Sequence, residues 1–512
     1  MKRFWLVMLS LGLVLAFSAS AMAVDVKFSG SFYAAGMYQD KTNFKTTNEA
    51  LYGFTNTAAP YHTGFVGSAG PGPSTAFYYQ RLRVGTDFIV SPGLKLVTRF
   101  DAMERAWGAS RATRNLGSGP LGTAAGNDIN SSASTLESEN IAFDVAYVSW
   151  LSPIGMVNVG YQTDGAWGTV FGDDDNVAPK VQFITQFGPV AFVAQAVKFK
   201  ESSYTSKNAS AYADADIDKY SVGVIYSVNK DVSAGLLGYF ARGAVTRATG
   251  PDYMYDLGGN NWVPSMNGFE QKFYVLNPYA KAKIGPVTLQ TELQYAFGKF
   301  VDYDDGVGTT LPSGDIKISA LSAWVDATAD LGIAYFGGSV AYVSGDKPGT
   351  NNKAEGGLTG GNAWNPALIL FNFDRYYWAG ALKGYSGTQN PNANMNTYAA
   401  TNDGGMTNVW FAQGRVGVRP IAPLDVMLAV SYAKADQLPQ GSVPLLGISP
   451  GAAAADKEYG WEVDVTGTYK ITNNLSYMLG FGYLFTGNYY KGMTNADVED
   501  NYMLINKLTL TF

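Results

Sequence analysis

The strongest constraint on the fold of this chain is an alternation of apolar and polar residues that repeats along most of its length. The alternation is clearest between residues 459 and 471, and it recurs at 220–228 and 475–485. In the first of these runs the apolar set is Tyr459, Trp461, Val463, Val465, Gly467, Tyr469 and Ile471. Successive side chains of a β-strand point to opposite faces, so each run predicts a strand with one apolar and one polar face.

The length of the runs distinguishes between two kinds of all-β protein. Strands of soluble sandwiches are typically about 5–6 residues long, with a turn roughly every 8–12 residues. Here the runs often extend over 12 to 15 residues, which is long enough to cross a bilayer at a tilt. Aromatic residues lie at both ends of the apolar face of 459–471, as expected where a strand meets the two membrane interfaces. We therefore predict membrane-spanning strands.

The segments between the runs alternate between short turns and long polar loops. Eight short turns carry Pro, Gly, Asn or Asp and fall at 91–93, 152–155, 188–189, 229–231, 285–286, 329–332, 421–423 and 472–474. The nine long segments are 40–76, 107–139, 167–178, 201–215, 244–269, 301–314, 346–407, 438–457 and 488–500. These connections predict an all-β, transmembrane, antiparallel up-and-down β-barrel of about 18 strands, with both chain ends on the short-turn side.

The longest loop, 346–407, leaves the strand number open. It contains the apolar run 366–371, which is either a further hairpin or a loop segment folded back against the barrel wall. A further hairpin would raise the number to 20, and an even number of 16 is also possible.

The N-terminus has the composition of a cleaved secretory signal. Lys2 and Arg3 precede an apolar stretch at 4–17, and Ala21-Met22-Ala23 supplies the small residues of a cleavage site. We predict a signal peptide at 1–23 and one barrel domain at 24–512, exported through the inner membrane.

Composition excludes several classes of function. The chain has no cysteine and one histidine, His62, so zinc sites, iron–sulfur clusters and histidine-based catalysis have few or no residues to build them. The formal charge of −6 argues against binding of nucleic acid. Only 15% of residues are charged, against about 25% in ordinary soluble domains. We expect no enzyme activity, no cofactor and no nucleic-acid partner.

The C-terminal strand carries a resemblance to a known family. The chain ends in Leu508, Leu510 and Phe512 on one face, and this resembles the terminal strand that the barrel-assembly machinery recognises in outer-membrane proteins. With the export signal and the alternation, the mature chain resembles a Gram-negative outer-membrane porin. Segments 81–87 and 146–151 resemble those of trimeric porins from anaerobic sulfate- and metal-reducing bacteria. The resemblance implies Phe512 as assembly signal, a homotrimer, and contact with outer-membrane lipid and lipopolysaccharide.

A closed barrel of this width predicts a channel on physical grounds. Barrels of about 16–18 strands are too wide for their side chains to fill, so they leave an aqueous path. We expect passive diffusion of ions and small hydrophilic solutes through a pore in the outer membrane. A substrate-selective channel and the barrel sheath of a porin–cytochrome electron conduit are the competing hypotheses.

Four basic residues are candidates for the pore lining. Arg81 and Arg83 on the second strand, with Lys95 and Arg99 on the third, share the polar face of their strands. Neighbouring strands bring such residues onto one stretch of wall, where they either select anions or simply solvate a wide pore.

Acidic loops supply the second set of candidates. The third long loop contains Gly172 followed by Asp173, Asp174 and Asp175, and it resembles the inward-folded acidic loop of general porins. A solvated external loop and calcium binding are two further interpretations. Asp302, Asp304 and Asp305 form another acidic segment that lacks the closing Glu of a calcium loop, so we expect it to be solvated. His62 is expected at the surface.

Overall fold

The chain forms one closed antiparallel barrel. The structure, a computed structural model, describes residues 24–42, 44, 74–108, 141–201, 216–244, 254–256, 262–264, 269–303, 315–347, 352–356, 361, 363–380, 382, 405–438, 456–491 and 497–512. The predicted signal peptide at 1–23 lies outside these residues. The wall strands are β1 Asp25–Gln39, β2 Thr75–Ser91, β3 Leu94–Ala106, β4 Ala142–Ser152, β5 Gly155–Asp164, β6 Asn176–Phe187, β7 Val190–Lys200, β8 Ile217–Ser227, β9 Val232–Gly243, β10 Phe269–Ile284, β11 Val287–Tyr303, β12 Ile316–Asp330, β13 Ala334–Val343, β14 Val409–Ile421, β15 Leu424–Ala435, β16 Glu458–Lys470, β17 Leu475–Thr486 and β18 Asn501–Thr511.

The barrel closes between its first and last strands. Each strand pairs antiparallel with the next along the chain, and β18 pairs with β1 from Ser31↔Thr511 to Gln39↔Met503. Closure gives every wall strand two neighbours, which satisfies the backbone hydrogen bonds that a bilayer cannot satisfy. The prediction of an antiparallel barrel of about 18 strands is confirmed.

The connections follow the predicted alternation. All eight short turns lie at one end of the barrel with both termini of the described chain, and the strand ends that lead into the nine long segments lie at the other end. The described residues between β13 and β14 add no wall strand, so the interpretation of 366–371 as a loop segment folded against the wall is confirmed. These residues form a two-residue strand, Lys353–Ala354, that pairs parallel with β12, and a short helix, α1, at Phe373–Ala379.

Two further elements lie in the long connections. A small hairpin pairs Met254–Asp256 with Trp262–Pro264, and a 3₁₀ turn covers Asn488–Lys491. Among the described residues, no helix combines the length and hydropathy that a membrane-spanning helix requires.

The alternation places large apolar side chains on the outer surface. Trp461, Val465 and Tyr469 on β16 are 48%, 43% and 44% exposed, while Glu462 and Asp464 between them are buried inside the barrel. Aromatic pairs such as Tyr432 and Trp461, with ring centroids 4.6 Å apart, lie near the long-loop end of this surface. An apolar outer face and a polar inner face are what lipid outside and water inside require.

Tyr459 departs from the predicted facing. The alternation predicts it on the apolar outer face, but Tyr459 is only 5% exposed. Its ring lies inside the barrel against the ring of Phe371, with centroids 5.6 Å apart. The cause is a bulge, since the register with β15 shifts between Ala433 and Lys434 and Gly460 has φ +128°. A bulge inserts one residue and reverses the facing of the residues beyond it, so the prediction for Tyr459 is wrong.

The facing of β16 can be tested by charge substitution. Val465→Arg is expected to impair barrel assembly, because Arg on a lipid face costs roughly 2–4 kcal/mol near the bilayer midplane. Thr466→Arg, one residue away on the inner face, serves as the matched control and should assemble normally. Heat-modifiable migration on a denaturing gel measures the folded fraction. Equal folded fractions for the two variants would contradict the assigned facing.

Candidate functional site

Two loop segments fold from the long-loop end into the interior of the barrel. Loop A, residues 165–175, connects β5 to β6, and loop B, residues 363–380, belongs to the long connection between β13 and β14. Loop B and the nearby Gly361 contact loop A: the amide of Gly361 donates to the carbonyl of Phe171 at 2.6 Å, and the amide of Ala363 donates to the carbonyl of Asp173 at 3.0 Å. Together they bridge the interior between opposite parts of the wall.

Loop A reaches the wall formed by β10, β11 and β12. The Trp167 indole donates to the backbone oxygen of Asn277 at 3.0 Å, and the Phe171 ring stacks on Trp324 with centroids 5.8 Å apart. The Thr169 amide donates to the fully buried carboxylate of Glu292 at 3.0 Å. These contacts hold loop A well inside the barrel.

Gly172, the first residue of the acidic motif, permits this close approach. A Cβ placed on Gly172 would collide with the side chains of Glu292 and Gln294. A larger residue would require the side chains of Glu292 and Gln294 to move, so the glycine belongs to the packing of the loop on the wall.

Loop B is anchored on two carboxylates of β16. The amides of Ile369 and Leu370 donate to the two oxygens of Glu462 at 2.6 and 2.8 Å, and the amide of Leu368 donates to Asp464 at 3.3 Å. The buried carboxylate of Glu462 thus replaces the strand partner that this stretch of backbone lacks.

Helix α1 continues loop B towards β1 and β2. Asn372 caps its N-terminus by accepting from the amide of Arg375 at 2.8 Å, and the Trp378 ring stacks on Tyr79 at 4.3 Å. Arg375 is 2% exposed, and one of its N–H groups donates to Gln39 at 3.5 Å. Burial lowers the pKa of the Arg375 guanidinium to about 10. The apolar side chains of loop B therefore pack as a core inside the barrel.

Four of the predicted site residues meet acidic partners on β2, β3, β4 and loop A. We call this set the charge ladder; its ion pairs are Arg81–Glu104 at 3.4 Å, Arg83–Asp101 at 2.7 Å, Arg83–Asp175 at 2.6 Å, Arg99–Asp144 at 2.5 Å, Arg99–Asp175 at 3.1 Å and Lys95–Asp87 at 2.7 Å. Asp175 joins the two arginines across neighbouring strands. The basic wall is thus a paired array of both signs, and Asp175 of loop A lies beside the arginines.

The three acids of the loop A motif have different surroundings. Asp173 accepts from the amide of Trp167 at 2.7 Å inside the loop, and burial raises its pKa. Burial also acts to raise the pKa of Asp175, but hydrogen bonds from Arg83 and Arg99 outweigh it and hold that pKa below its usual value. The backbone amide of Asp174 donates to the carbonyl of Gly165 at 3.4 Å. Of the three acids, Asp175 forms the ion pairs with the ladder arginines.

The remaining predicted residues lie elsewhere. Phe512 exchanges backbone hydrogen bonds with Gly30 at 2.8 and 3.0 Å, and its ring is half exposed at the short-turn rim. Asp302 lies at the outer face, paired with Lys299 at 2.6 Å. His62, Asp304 and Asp305 fall outside the described residues. Within the described chain, no group of three or more His, Asp or Glu side chains is arranged to hold a metal ion.

Sequence reasoning did not single out the residues that position the loops. The alternation places Glu462 and Asp464 on the polar face of β16, and nothing in the sequence marks Glu292 or Arg375 for a role. One signal was available: an apolar run at 366–371 inside a polar loop must be buried somewhere. Its partners could not be identified, because they are distant along the chain.

Comparison with solved structures finds chains that are similar over nearly their whole length at low sequence identity. OccK11 (OpdR) of Pseudomonas aeruginosa is 12% identical, with a TM-score of 0.44 over 95% of this chain and 96% of that one. The outer membrane protein OpdK of the same organism is 13% identical, with a TM-score of 0.44; the match covers 95% of this chain and 99% of OpdK. A loop-deletion mutant of the outer membrane protein OmpT of Vibrio cholerae is 9% identical, with a TM-score of 0.38 over 95% and 99%. No family model matches the sequence, and no curated protein matches it significantly.

Proposed function

We propose that this protein is an outer-membrane channel through which ions and small hydrophilic solutes diffuse passively. The observation that carries the proposal is a closed eighteen-strand barrel with an apolar outer surface and a charge ladder on its inner surface. Such a molecule is matched to lipid outside and to water and solutes inside.

The outer surface supports the membrane location. Large apolar side chains such as Trp150, Tyr226, Phe336 and Leu479 are at least half exposed, and they recur around the whole wall. Soluble monomers rarely expose contiguous apolar patches larger than a few hundred Å². A hydrocarbon environment removes this surface from water, which is energetically favourable. The predicted signal peptide agrees with export to the outer membrane.

The interior supports a narrow channel. Loops A and B occupy part of the barrel interior, and Asp175 of loop A contacts the arginines of the charge ladder, so a solute that crosses the barrel at this level meets a narrowed and charged path. Guanidinium and carboxylate groups at this level offer both donors and acceptors to a hydrated solute. Substrate-selective passage is therefore a second candidate function, since a narrow and charged path discriminates more strongly than an open one.

The hypothesis of an electron-conduit sheath has less support. Such a sheath needs space for a haem-bearing partner, whereas loops A and B occupy the interior of the barrel. Trimer formation, recognition of Phe512 by the barrel-assembly machinery and similarity to porins of anaerobic sulfate- and metal-reducing bacteria stay predictions. Cross-linking in mild detergent that yields only monomer would contradict the trimer.

Planar-bilayer recording tests the proposed function and separates the two candidates. The refolded full chain should produce discrete ohmic conductance steps, and proteoliposomes should swell in neutral sugars at rates that fall with solute size. Rates that follow size alone would support passive diffusion. Uptake of one chemical class well above its size expectation would support selective passage. Barrel protein without conductance steps would contradict both.

A further inference from the structure

A row of uncharged polar side chains continues the inner wall beside the charge ladder. Lys95 of the ladder is the register partner of Ser149 on β4. From Ser149 each following strand adds one residue in register, and we call the five residues the neutral row: Ser149, Asn158, Gln182, Gln195 and Ser221 on β4 to β8. The row crosses five strands, so it is ~19 Å long at the usual strand spacing.

The neutral row faces the interior of the barrel. Its immediate neighbours along the strands, such as Val159 and Val222, are exposed on the lipid side. Successive side chains of a strand alternate between the two faces, so the members of the row point inward. Gln182 and Gln195 are only partly buried there. The row therefore borders the path of a solute through the barrel.

Three buried oxygen atoms of the neutral row have no hydrogen-bond partner within the described part of the chain. They are Oδ1 of Asn158, Oε1 of Gln195 and Oγ of Ser221. Asn158 donates through Nδ2 to Gln182 at 3.0 Å, which leaves its own Oδ1 able to accept. The residues Asn158 and Ser221 are 6% and 4% exposed. Unpartnered buried polar atoms are uncommon and cost free energy, so three in one row indicate that donors come from outside the chain.

The charges beside the row indicate that these donors belong to an uncharged group. Asp164 at the long-loop end of β5 pairs with Lys180 at 3.5 Å and also with Lys219. The two lysines lie two residues from Gln182 and Ser221, on the same inner face. Two cations and one anion leave a local positive charge, which repels a cationic ligand. An anionic ligand would need donors, whereas the unpartnered amide oxygens of the row only accept.

An apolar strip runs along the inner wall beside the neutral row, two residues nearer the short-turn end. It consists of register partners on β6 to β9, namely Ile184, Val193, Gly223 and Leu237. The Trp167 ring of loop A packs against Leu237, and a Cβ on Gly223 would collide with this ring. A sugar has hydroxyl groups around its rim and C–H groups on its ring faces. A polar row beside an apolar strip is complementary to both.

We propose that the neutral row binds neutral polyhydroxylated solutes, that is, sugars, during their passage through the channel. Sugar hydroxyls donate to Asn158, Gln195 and Ser221 while one face of the sugar ring lies on the apolar strip. Rotation about the side-chain torsions of Gln195 turns its oxygen towards the solute. A hydroxyl both donates and accepts, so it also suits the amide N–H groups of the row. The inference rests on the proposed channel function and names the solute class that this channel favours.

Block of the single-channel ion current by a neutral trisaccharide tests the inference. Maltotriose added to the unmodified chain in a planar bilayer should interrupt the current saturably, and the concentration dependence of the block gives Kd. Polyethylene glycol of equal hydrodynamic size is the matched solute, because its ether oxygens accept hydrogen bonds but cannot donate them. Polyethylene glycol should reduce the current without saturation, since it offers no donors along its length to the unpartnered oxygens.

Substitutions in the row and elsewhere on the inner wall show where the sugar binds. The double variant Gln195→Met, Ser221→Ala removes two unpartnered oxygens at similar side-chain volume, so the barrel should still fold. It should raise the Kd of maltotriose about tenfold, because two hydrogen bonds to the sugar are lost. The control Gln290→Met, Ser322→Ala makes the same changes on β11 and β12, where Ser322 Oγ is also buried and unpartnered among the described residues. The control should keep the Kd of the unmodified chain.

The outcomes separate this inference from the proposed function. If the unmodified chain gives no conductance steps, the channel itself is contradicted. Conductance steps that maltotriose does not block saturably would overturn the sugar site alone. Equal block by maltotriose and polyethylene glycol would overturn it too, because solute size would then account for the effect. Equal Kd for the double variant and its control, with both shown to be folded by heat-modifiable gel migration, would likewise overturn the assignment to the neutral row.

Discussion

Replacing Ile369, Leu370, Phe371 and Trp378 with serine is expected to raise single-channel conductance several-fold. These side chains are almost completely buried in the core that holds loop B inside the barrel. Truncation of one large buried side chain costs about 2–5 kcal/mol, so four such changes remove most of the packing that opposes release of the loop. A barrel of 18 strands without an internal loop has a wide aqueous path. Planar-bilayer recording at fixed salt gives the conductance directly.

Phe373→Ser with Tyr376→Ser provides the matched control. Both residues belong to α1, and their ring centroids are 5.9 Å apart. They are only half-buried and lie outside the central core of the loop. Their replacement should leave conductance close to that of the unmodified chain. Heat-modifiable gel migration must show that every variant retains a folded barrel. A quadruple variant that is folded but has unchanged conductance would show that loop B does not form the narrowest section of the channel.

A smaller effect of the same kind is expected from the anchor of loop B. Glu462→Ala leaves the amides of Ile369 and Leu370 without the acceptor that they share. Leaving a buried donor unsatisfied costs about 1–3 kcal/mol. Glu462→Ala should therefore release loop B part of the time, which is visible as transitions between two conductance levels.

Neutralising Arg83 and Arg99 together is expected to shift ion selectivity strongly towards cations. The double change Arg83→Gln, Arg99→Gln leaves the carboxylates of Asp101, Asp144 and Asp175 without their cationic partners. Uncompensated charge in a confined pore attracts ions of the opposite sign. The measurement is the reversal potential in asymmetric salt. The shift should be largest near 0.01 M, where the Debye length is ~30 Å, and smaller near 0.15 M, where it is ~8 Å.

Asp175→Asn should produce the opposite shift. This change removes one acidic partner from each of Arg83 and Arg99, so the reversal potential should move towards anions. Arg419→Gln is the control for a single arginine, because Arg419 is also paired with two acids, Asp330 and Asp425, but at the short-turn end. Arg419→Gln should shift the reversal potential less than the single change Arg83→Gln does. Shifts of the same sign in Asp175→Asn and Arg83→Gln would contradict control of selectivity by the charge ladder.

The two-residue periodicity was sufficient to predict the wall of the barrel. A strand needs one face for lipid and one for the interior, so the alternation is written locally in runs such as 220–228 and 475–485. The turns between them are local as well, because Pro, Gly and Asn act on the backbone of their immediate neighbours. For the same reason, Arg81 and Arg83 could be placed on one face of their strand from the sequence.

Contacts between distant residues could not be predicted in this way, and the interior of the barrel depends on them. Asp175 is 92 residues from Arg83, and Ile369 is 93 residues from Glu462. Periodicity tells which face a side chain occupies, but not which loop will fold against that face. Tyr459 shows the same limit within a strand, since one bulge at Gly460 reversed a facing that alternation had assigned. The sequence by itself determined the strands, their order and their two faces, because local sterics and the contrast between lipid and water set them. Only the tertiary structure decided how loops A and B divide the interior, because that depends on packing and hydrogen bonds between segments far apart in the chain.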